Sequence, residues 1–289
     1  MNWVLDLDLR AFFDSLSQDW LVKFLEPRIG DRRVVRLLQK WLRAGVQEEG
    51  KLTGSEEGTP QGGRVSPVLA NVYLHYVFDL WVQAWQRKIA RGDRVVVRYA
   101  DDIVIGFQEK AEAERFWDER KERMKKFNLE LHPEKTRLLE FGRYAARDRE
   151  QRGEGKPETF NFLGFTHICG QTRKGRFAVL RQTIRKRMQA KLKAINLELK
   201  RRMHDSLNEV GRWLRAVVGG HIRYYGVPTN SVTIRTFRRA VGRLWHRVLC
   251  RRSQLGYVTW DRMKRLLHRW LPPARICHPY PSCRVRVTT

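Results

Sequence analysis

The spacing of apolar and polar residues changes several times along this chain, and each change predicts an element. Val95, Val96, Val97, Ile103, Val104 and Ile105 are β-branched, a type that favours buried strands. Residues 95–107 therefore read as two strands joined by a tight turn at Ala100-Asp101-Asp102. "NWVLDLDL" (2–9) predicts another strand, and residues 17–45 carry helical spacing interrupted at 27–31. Residues 48–63 are rich in Gly and acids and read as loop. From 66 to 90 a helix is expected: Ser66 can cap it, Pro67 fits its first position, and apolar residues lie nearly all round it, as in a buried helix. A charged amphipathic helix follows at 109–127, then short strands at 129–141 around Pro133, and a last hairpin from 158–169 and 175–180.

Beyond residue 181 the texture changes to long Arg-rich amphipathic helices at 183–203, 206–220, 230–252 and 259–269. Gly219-Gly220 and Gly226-Val227-Pro228 punctuate them. The chain thus divides into an α+β domain over 1–170 and an all-α domain over 171–289.

Charge sharpens that division. The net charge of the 289 residues is +27. Residues 171–289 hold 29 Lys and Arg against 4 Asp and Glu, whereas 1–170 hold 29 against 27. A basic half of this kind suits phosphate backbones. Aromatics at 11% and hydrophobics at 42% indicate a folded protein. No apolar run has the length of a membrane span and no signal peptide is expected. Cys169, Cys250, Cys277 and Cys283 form no Cys-x-x-Cys pair, so they read as free thiols in a reducing cytoplasm.

The chemistry-bearing feature is the pair of carboxylates between apolar strands. Asp101 and Asp102 repel each other unless a cation intervenes. Asp6 and Asp8 are two apart on the first strand and share a face. If that strand pairs beside the hairpin, Asp8, Asp101 and Asp102 converge, and hard carboxylate oxygens suit Mg²⁺. Two such ions can activate a 3′-hydroxyl and stabilise a leaving oxygen. Asp6 reads better as a structural or spare charge.

Tyr99-Ala100-Asp101-Asp102 resembles the catalytic box of reverse transcriptases. Further motifs stand in the family's order: "DLRAFFD" (8–14) resembles the first aspartate motif, and "GTPQGGRVSPVLANVYL" (58–74) resembles the Pro-Gln-Gly motif of group II intron enzymes. "HPEKT" (132–136) resembles the lysine motif and "FNFLGF" (160–165) the primer-grip hairpin. "HIRYYGVPTN" (221–230) and "ARICHPYP" (274–281) resemble the thumb, or maturase X, region.

The resemblance implies a polymerase palm with an antiparallel sheet over 1–170, an all-α maturase thumb over 171–289, and RNA-directed DNA synthesis with two Mg²⁺. Asp8, Asp101 and Asp102 would be the metal ligands, and Lys135 would shield or protonate the leaving pyrophosphate. Phe13 would reject a 2′-hydroxyl, with Phe12 in the core; Gln61 and Gly62 would meet the incoming nucleotide. Tyr99 would either pack or lie beside the primer, and Asn71 reads as structural. Phe162, Leu163 and Gly164 would hold the primer end. Tyr224 and Tyr225 are divided between core and RNA contact, His221 is open between the same roles, and Arg238 and Arg239 are RNA-binding candidates. The expected partners are template and intron RNA, a DNA primer and dNTPs, and, because the family's fingers region precedes the first aspartate motif, a fingers-containing polypeptide. The alternative is a truncated, non-catalytic maturase that only binds RNA.

Overall fold

A computed structural model describes residues 1–43, 46–48, 51–53, 65–89, 92–172, 174–252 and 257–280. The chain divides into two compact units, Met1–Glu158 and Thr159–Thr289.

The first unit is built on a four-stranded antiparallel sheet. β1 (Trp3–Leu7) lies at its centre; β2 (Leu9–Arg10) continues the chain into a separate ribbon. Short helices α1 (Phe12–Ser15) and α2 (Gln18–Leu25) and the longer α3 (Arg32–Arg43) follow. The segment expected as loop contains two short paired strands, β3 (Val46–Glu48) and β4 (Lys51–Thr53). The single helix expected at 66–90 is α4 (Ser66–Leu74) and α5 (Leu80–Lys88), joined through a π-helical turn at His75–Asp79. The hairpin is β5 (Arg94–Tyr99) and β6 (Asp102–Phe107). α6 (Lys110–Lys126), β7 (Glu130–Leu131), β8 (Arg137–Glu140) and α7 (Ala145–Gln151) complete the unit.

The sheet order is β5-β6-β1-β8, and β2 pairs with β7. Period-2 alternation decides which face is buried. Leu5, Leu7, Ile103, Ile105 and Phe107 point into a core shared with Tyr73, Phe78, Trp85 and Phe116 from the helices. Val95, Val97 and Tyr99 on the edge strand β5 remain exposed.

The second unit opens with a three-stranded antiparallel sheet of β9 (Phe160–Phe162), β10 (Phe165–Gln171) and β11 (Phe177–Thr183). Helices α8 (Arg185–Arg201), α9 (Leu207–Tyr225), α10 (Ser231–Leu249) and α11 (Trp260–Trp270) follow. α8 packs on α10 and α11 on α9, around Leu214, Val218, Phe237, Val241, Trp245 and Met263. This unit is not all-α. The boundary read near 170 falls inside β10, because buried Asn230, the residue before α10, joins β11 to the helices. Its amide donates to Thr183 Oγ1 (2.9 Å) and to the Tyr225 carbonyl (2.8 Å), and its Oδ1 accepts from the Thr183 amide (3.1 Å).

α9 does not stop at Gly219-Gly220 but continues to Tyr225. Two helical glycines cost about 1 kcal/mol each. Val218, His221 and Ile222 keep the buried stripe unbroken across them, and that burial offsets the cost.

Candidate functional site

Local backbone preferences carry Asp101 to the tip of the β5–β6 hairpin. Tyr99 pairs with Asp102, leaving a two-residue loop of Ala100 and Asp101. Ala100 is left-handed (φ 53°), as two-residue turns that match strand twist require at their first central position. Such a conformation strains a residue with a Cβ. Arg98 holds it. Its Nη1 donates to the Ala100 carbonyl (3.2 Å) and to Asn71 Oδ1 (2.9 Å), and its Nε and Nη2 bind Asp79 at 2.7 and 2.5 Å. Asn71 also donates to the Pro67 carbonyl (3.0 Å), so it is structural here. Sequence reasoning passed over Arg98 and Asp79. The signal was an arginine at a core-facing position of a valine-rich strand.

Asp8 leaves the centre of the sheet beside that tip. The β1–β6 register pairs Leu7 with Ile103, so Asp8 and Asp102 follow side by side, and Asp6 pairs with Val104 on the same face. Burial pushes the Asp6 carboxyl up to about 6, with Arg137 opposing and Asp8 and Asp102 adding to the rise. Three carboxylates therefore feel one another on the open face of the sheet. The lysine-motif turn docks on the same point: the His132 amide donates to the Asp8 carbonyl (2.9 Å), and Lys135 Nζ lies 3.3 Å from Asp8 Oδ2. The lysine thus answers the charge of a carboxylate directly, which its motif alone did not reveal.

The donor chemistry suits a hard dication, but the expected cage of Asp8, Asp101 and Asp102 is not assembled. Among the described residues, no group of three or more His, Cys, Asp or Glu is placed to hold a metal ion. Asp101 sits in the turn while Asp8 and Asp102 sit on strand ends, and Lys135 is held against Asp8. That arrangement fits Mg²⁺, which is usually bound through one or two carboxylates and completes its shell with water and substrate phosphate.

Phe12 is core and Phe13, tilted against it at 5.4 Å, is half-buried on α1. Tyr99 is 65% exposed, so it does not pack into the core. Gln61 and Gly62 lie outside the described residues.

In the second unit, Phe162 pairs with Phe165 and leaves Leu163 and Gly164 as the β9–β10 turn. Both are left-handed, at φ 48° and 80°. Gly164 has a further reason to lack a side chain: a Cβ there would stand 3.0 Å from the Tyr225 hydroxyl. Tyr224 donates its hydroxyl to the Leu163 carbonyl (2.9 Å) and stacks on Phe165. Tyr224 thus braces the turn while remaining exposed, and Tyr225 is half-buried against Phe165 and His221.

His221 belongs to the core, stacked on Phe237 with ring centroids 3.6 Å apart. Its Nε2 has no hydrogen-bond partner. Burial, reinforced by Lys191, brings its pKa down to about 4. Between about pH 4 and 6.5 the unfolded chain binds a proton there that the folded chain does not, so this stability is present above pH 6.5 and lost as pH falls towards 4. We expect the loss to be on the order of 1–2 kcal/mol after allowing for solvent near the ring. Thermal unfolding at pH 7 and pH 5 checks it; His221→Phe should reduce the difference, and an unchanged difference would acquit His221.

Arg238 is not free for RNA as expected. Its guanidinium donates to the carbonyls of Pro272 (2.8 Å), Leu267 and Leu271 (both 3.2 Å), closing the C-terminus of α11. Arg239 is exposed on the next position of α10. Among the described residues, Cys169, Cys250 and Cys277 form no disulfide. No described helix is long and apolar enough to cross a membrane.

The pattern of the reverse transcriptase (RNA-dependent DNA polymerase) family matches residues 1–167, and the chain belongs to that family. Its relatives include the group II intron-encoded protein LtrA of Lactococcus lactis subsp. cremoris, 32% identical over 102 residues, which are 35% of this chain and 17% of LtrA. Protein YkfC of Escherichia coli K12 is 34% identical over 131 residues, 36% of this chain and 34% of YkfC. The putative COX1/OXI3 intron 1 protein of Saccharomyces cerevisiae is 35% identical over 92 residues, 32% of this chain and 11% of that protein. These matches span about a third of the relatives' own length or less. Among solved structures, a Candida albicans telomerase aligns with 92% of this chain and 46% of its own at TM-score 0.48 and 12% identity.

Proposed function

We propose that this chain is the palm and thumb of an RNA-directed DNA polymerase of the group II intron type, working on nucleic acid in a bacterial cytoplasm. The observation that carries the reading is the meeting of Asp6, Asp8 and Asp102 on one open sheet face, with Lys135 against Asp8. In this reading the first unit is the palm and the second the maturase thumb. Asp8 and Asp101 hold the metal and Asp102 is a secondary ligand. Two Mg²⁺ ions arriving with substrate supply activation of the primer 3′-hydroxyl and stabilisation of the leaving oxygen. Lys135, with its Nζ 3.3 Å from Asp8 Oδ2, would shield or protonate the leaving pyrophosphate. The braced turn at Leu163-Gly164 holds the primer end. Its partners are template and intron RNA, a DNA primer and dNTPs.

Primer extension on an RNA template should yield complementary DNA. RNA binding should weaken steeply with salt, by on the order of 10³-fold between 50 and 200 mM for six or more phosphates. Binding without extension would leave the RNA-binding maturase as the function. A flat salt response would remove the basic face as the RNA surface.

Phe13 is assigned to sugar selection, since a flat ring offers a 2′-hydroxyl neither room nor a hydrogen bond. Phe13→Ala should raise ribonucleotide incorporation relative to deoxyribonucleotide in the same assay. Unchanged discrimination would move the gate elsewhere.

A further inference from the structure

A cleft of about 630 Å³ lies within the second unit, between α10 and the segment that enters and leaves α11. One wall carries Arg235, Arg238, Arg239 and Arg243 from α10; the other carries Trp260 and Pro273. The arginines recur at helical spacing, so one face of α10 presents them all. Among the described residues, no Asp or Glu lines the cleft. Arg238 spends its donors on the α11 carbonyls and fixes the two walls together. Arg235, Arg239 and Arg243 are exposed. Gly242 lets the helices approach, since a Cβ there would lie 3.1 Å from Leu267 Cδ2. The result is a concave surface with several like charges and, among the described residues lining it, no counter-charge, an arrangement that raises the local concentration of anions.

Trp260 gives the cleft its second property. It is a large aromatic left 45% exposed, at the start of a helix capped by Thr259, whose hydroxyl accepts from the Arg262 amide. One side of its ring is steadied by His246, stacked 4.2 Å away at 16°. His246 is itself held by Val258, whose carbonyl lies 2.7 Å from its Nε2. A held aromatic beside unpaired guanidinium groups is the combination that binds single-stranded nucleic acid: charge tracks the backbone and the ring takes a base. A cleft of this volume is the size of a small-molecule site. It has room for an unpaired nucleotide but not for a duplex.

We propose that this cleft is a subsite for an unpaired RNA nucleotide, its flanking phosphates on Arg239 and Arg243 and its base against Trp260. The proposal rests on the RNA-binding reading above and adds a strand preference that charge alone does not confer. It would let the second unit distinguish a loop or strand end of a folded RNA from continuous helix.

The test is fluorescence-anisotropy titration of the full chain with a labelled RNA single strand of about a dozen nucleotides, a blunt RNA duplex of equal length, and an equal DNA strand. Arg239→Gln with Arg243→Gln should flatten the log–log salt slope on the single strand by about 1.4, two phosphates at about 0.7 each. Trp260→Leu should weaken single-strand binding about 5- to 150-fold and leave the slope and duplex binding unchanged, while Trp260→Phe keeps most of the affinity. As a control, Lys186→Gln with Lys193→Gln removes equal charge from exposed positions on α8 and should flatten the slope less. If the wild-type chain binds RNA with a steep salt slope but the cleft variants bind like it, or the α8 pair matches the α10 pair, the cleft assignment fails and the RNA-binding reading stands. Wild-type binding with no salt dependence overturns both. Tighter, Trp260-dependent binding of the DNA strand overturns the assignment to RNA.

Discussion

Asp101→Asn is expected to abolish nucleotidyl transfer in the proposed site, because it removes a charge while nearly keeping the shape of the side chain. Asp101 sits in the loop that Arg98 secures through the Ala100 carbonyl, so the amide should occupy the same place and the hairpin should persist. Loss of a principal metal ligand should cost several kcal/mol of transition-state stabilisation, on the order of 10³-fold or more in rate. Asp8→Asn should do the same and should also release Lys135, which lies 3.3 Å from the Asp8 carboxylate. Asp6→Asn should matter far less, as Asp6 lies further back along β1, opposite Val104. Single-turnover primer extension with each variant decides the matter. Equal losses at Asp6 and Asp101 would show that the wrong carboxylate carries the ion.

Arg120→Met should raise the stability of the first unit by on the order of 2–4 kcal/mol. Arg120 lies on the face of α6 that also carries Ala113, Phe116 and Met124, and it is 0% exposed. Its three guanidinium nitrogens have no hydrogen-bond partner among the described residues. Burial alone brings its pKa down to about 9. The Trp117 ring, 5.9 Å from the guanidinium carbon, offsets part of that penalty. Met has similar length and no charge to desolvate. At roughly 2–4 °C per kcal/mol for a unit of this size, the melting temperature should rise by about 4–16 °C. A fall on substitution would mean that the guanidinium has an anionic partner in solution.

These two sites differ in how they were legible. Asp6 and Asp8 could be placed on one face, and Asp101 and Asp102 at a hairpin tip, from sequence because strand alternation and a tight turn are local properties; that the two strands pair was only a condition there. Arg120 could not be recognised as buried. It stands in a charged stretch, "AERFWDERKERMKK", and only the packing of α6 on the sheet decides which of its charges turns inwards. The π-helical turn at His75–Asp79, which adjoins the Asp79–Arg98 pair, was equally invisible. So was the role of Arg238, since the carbonyls it meets lie 29 to 34 residues further along.

By itself, then, the sequence determined what each stretch of chain does locally: the carboxylates at a strand end and hairpin tip, the family they belong to, and the basic amphipathic helices of the second half. The tertiary structure decided which of those pieces meet. It chose the order β5-β6-β1-β8, brought Lys135 to Asp8, carried α9 through Gly219-Gly220, joined β11 to the helical unit through Asn230, and turned Arg238 from a ligand group into a clamp. Each of these depends on burying a particular face against residues distant in the chain. Periodicity shows that a face exists, but its partner follows only from how all the faces are satisfied together.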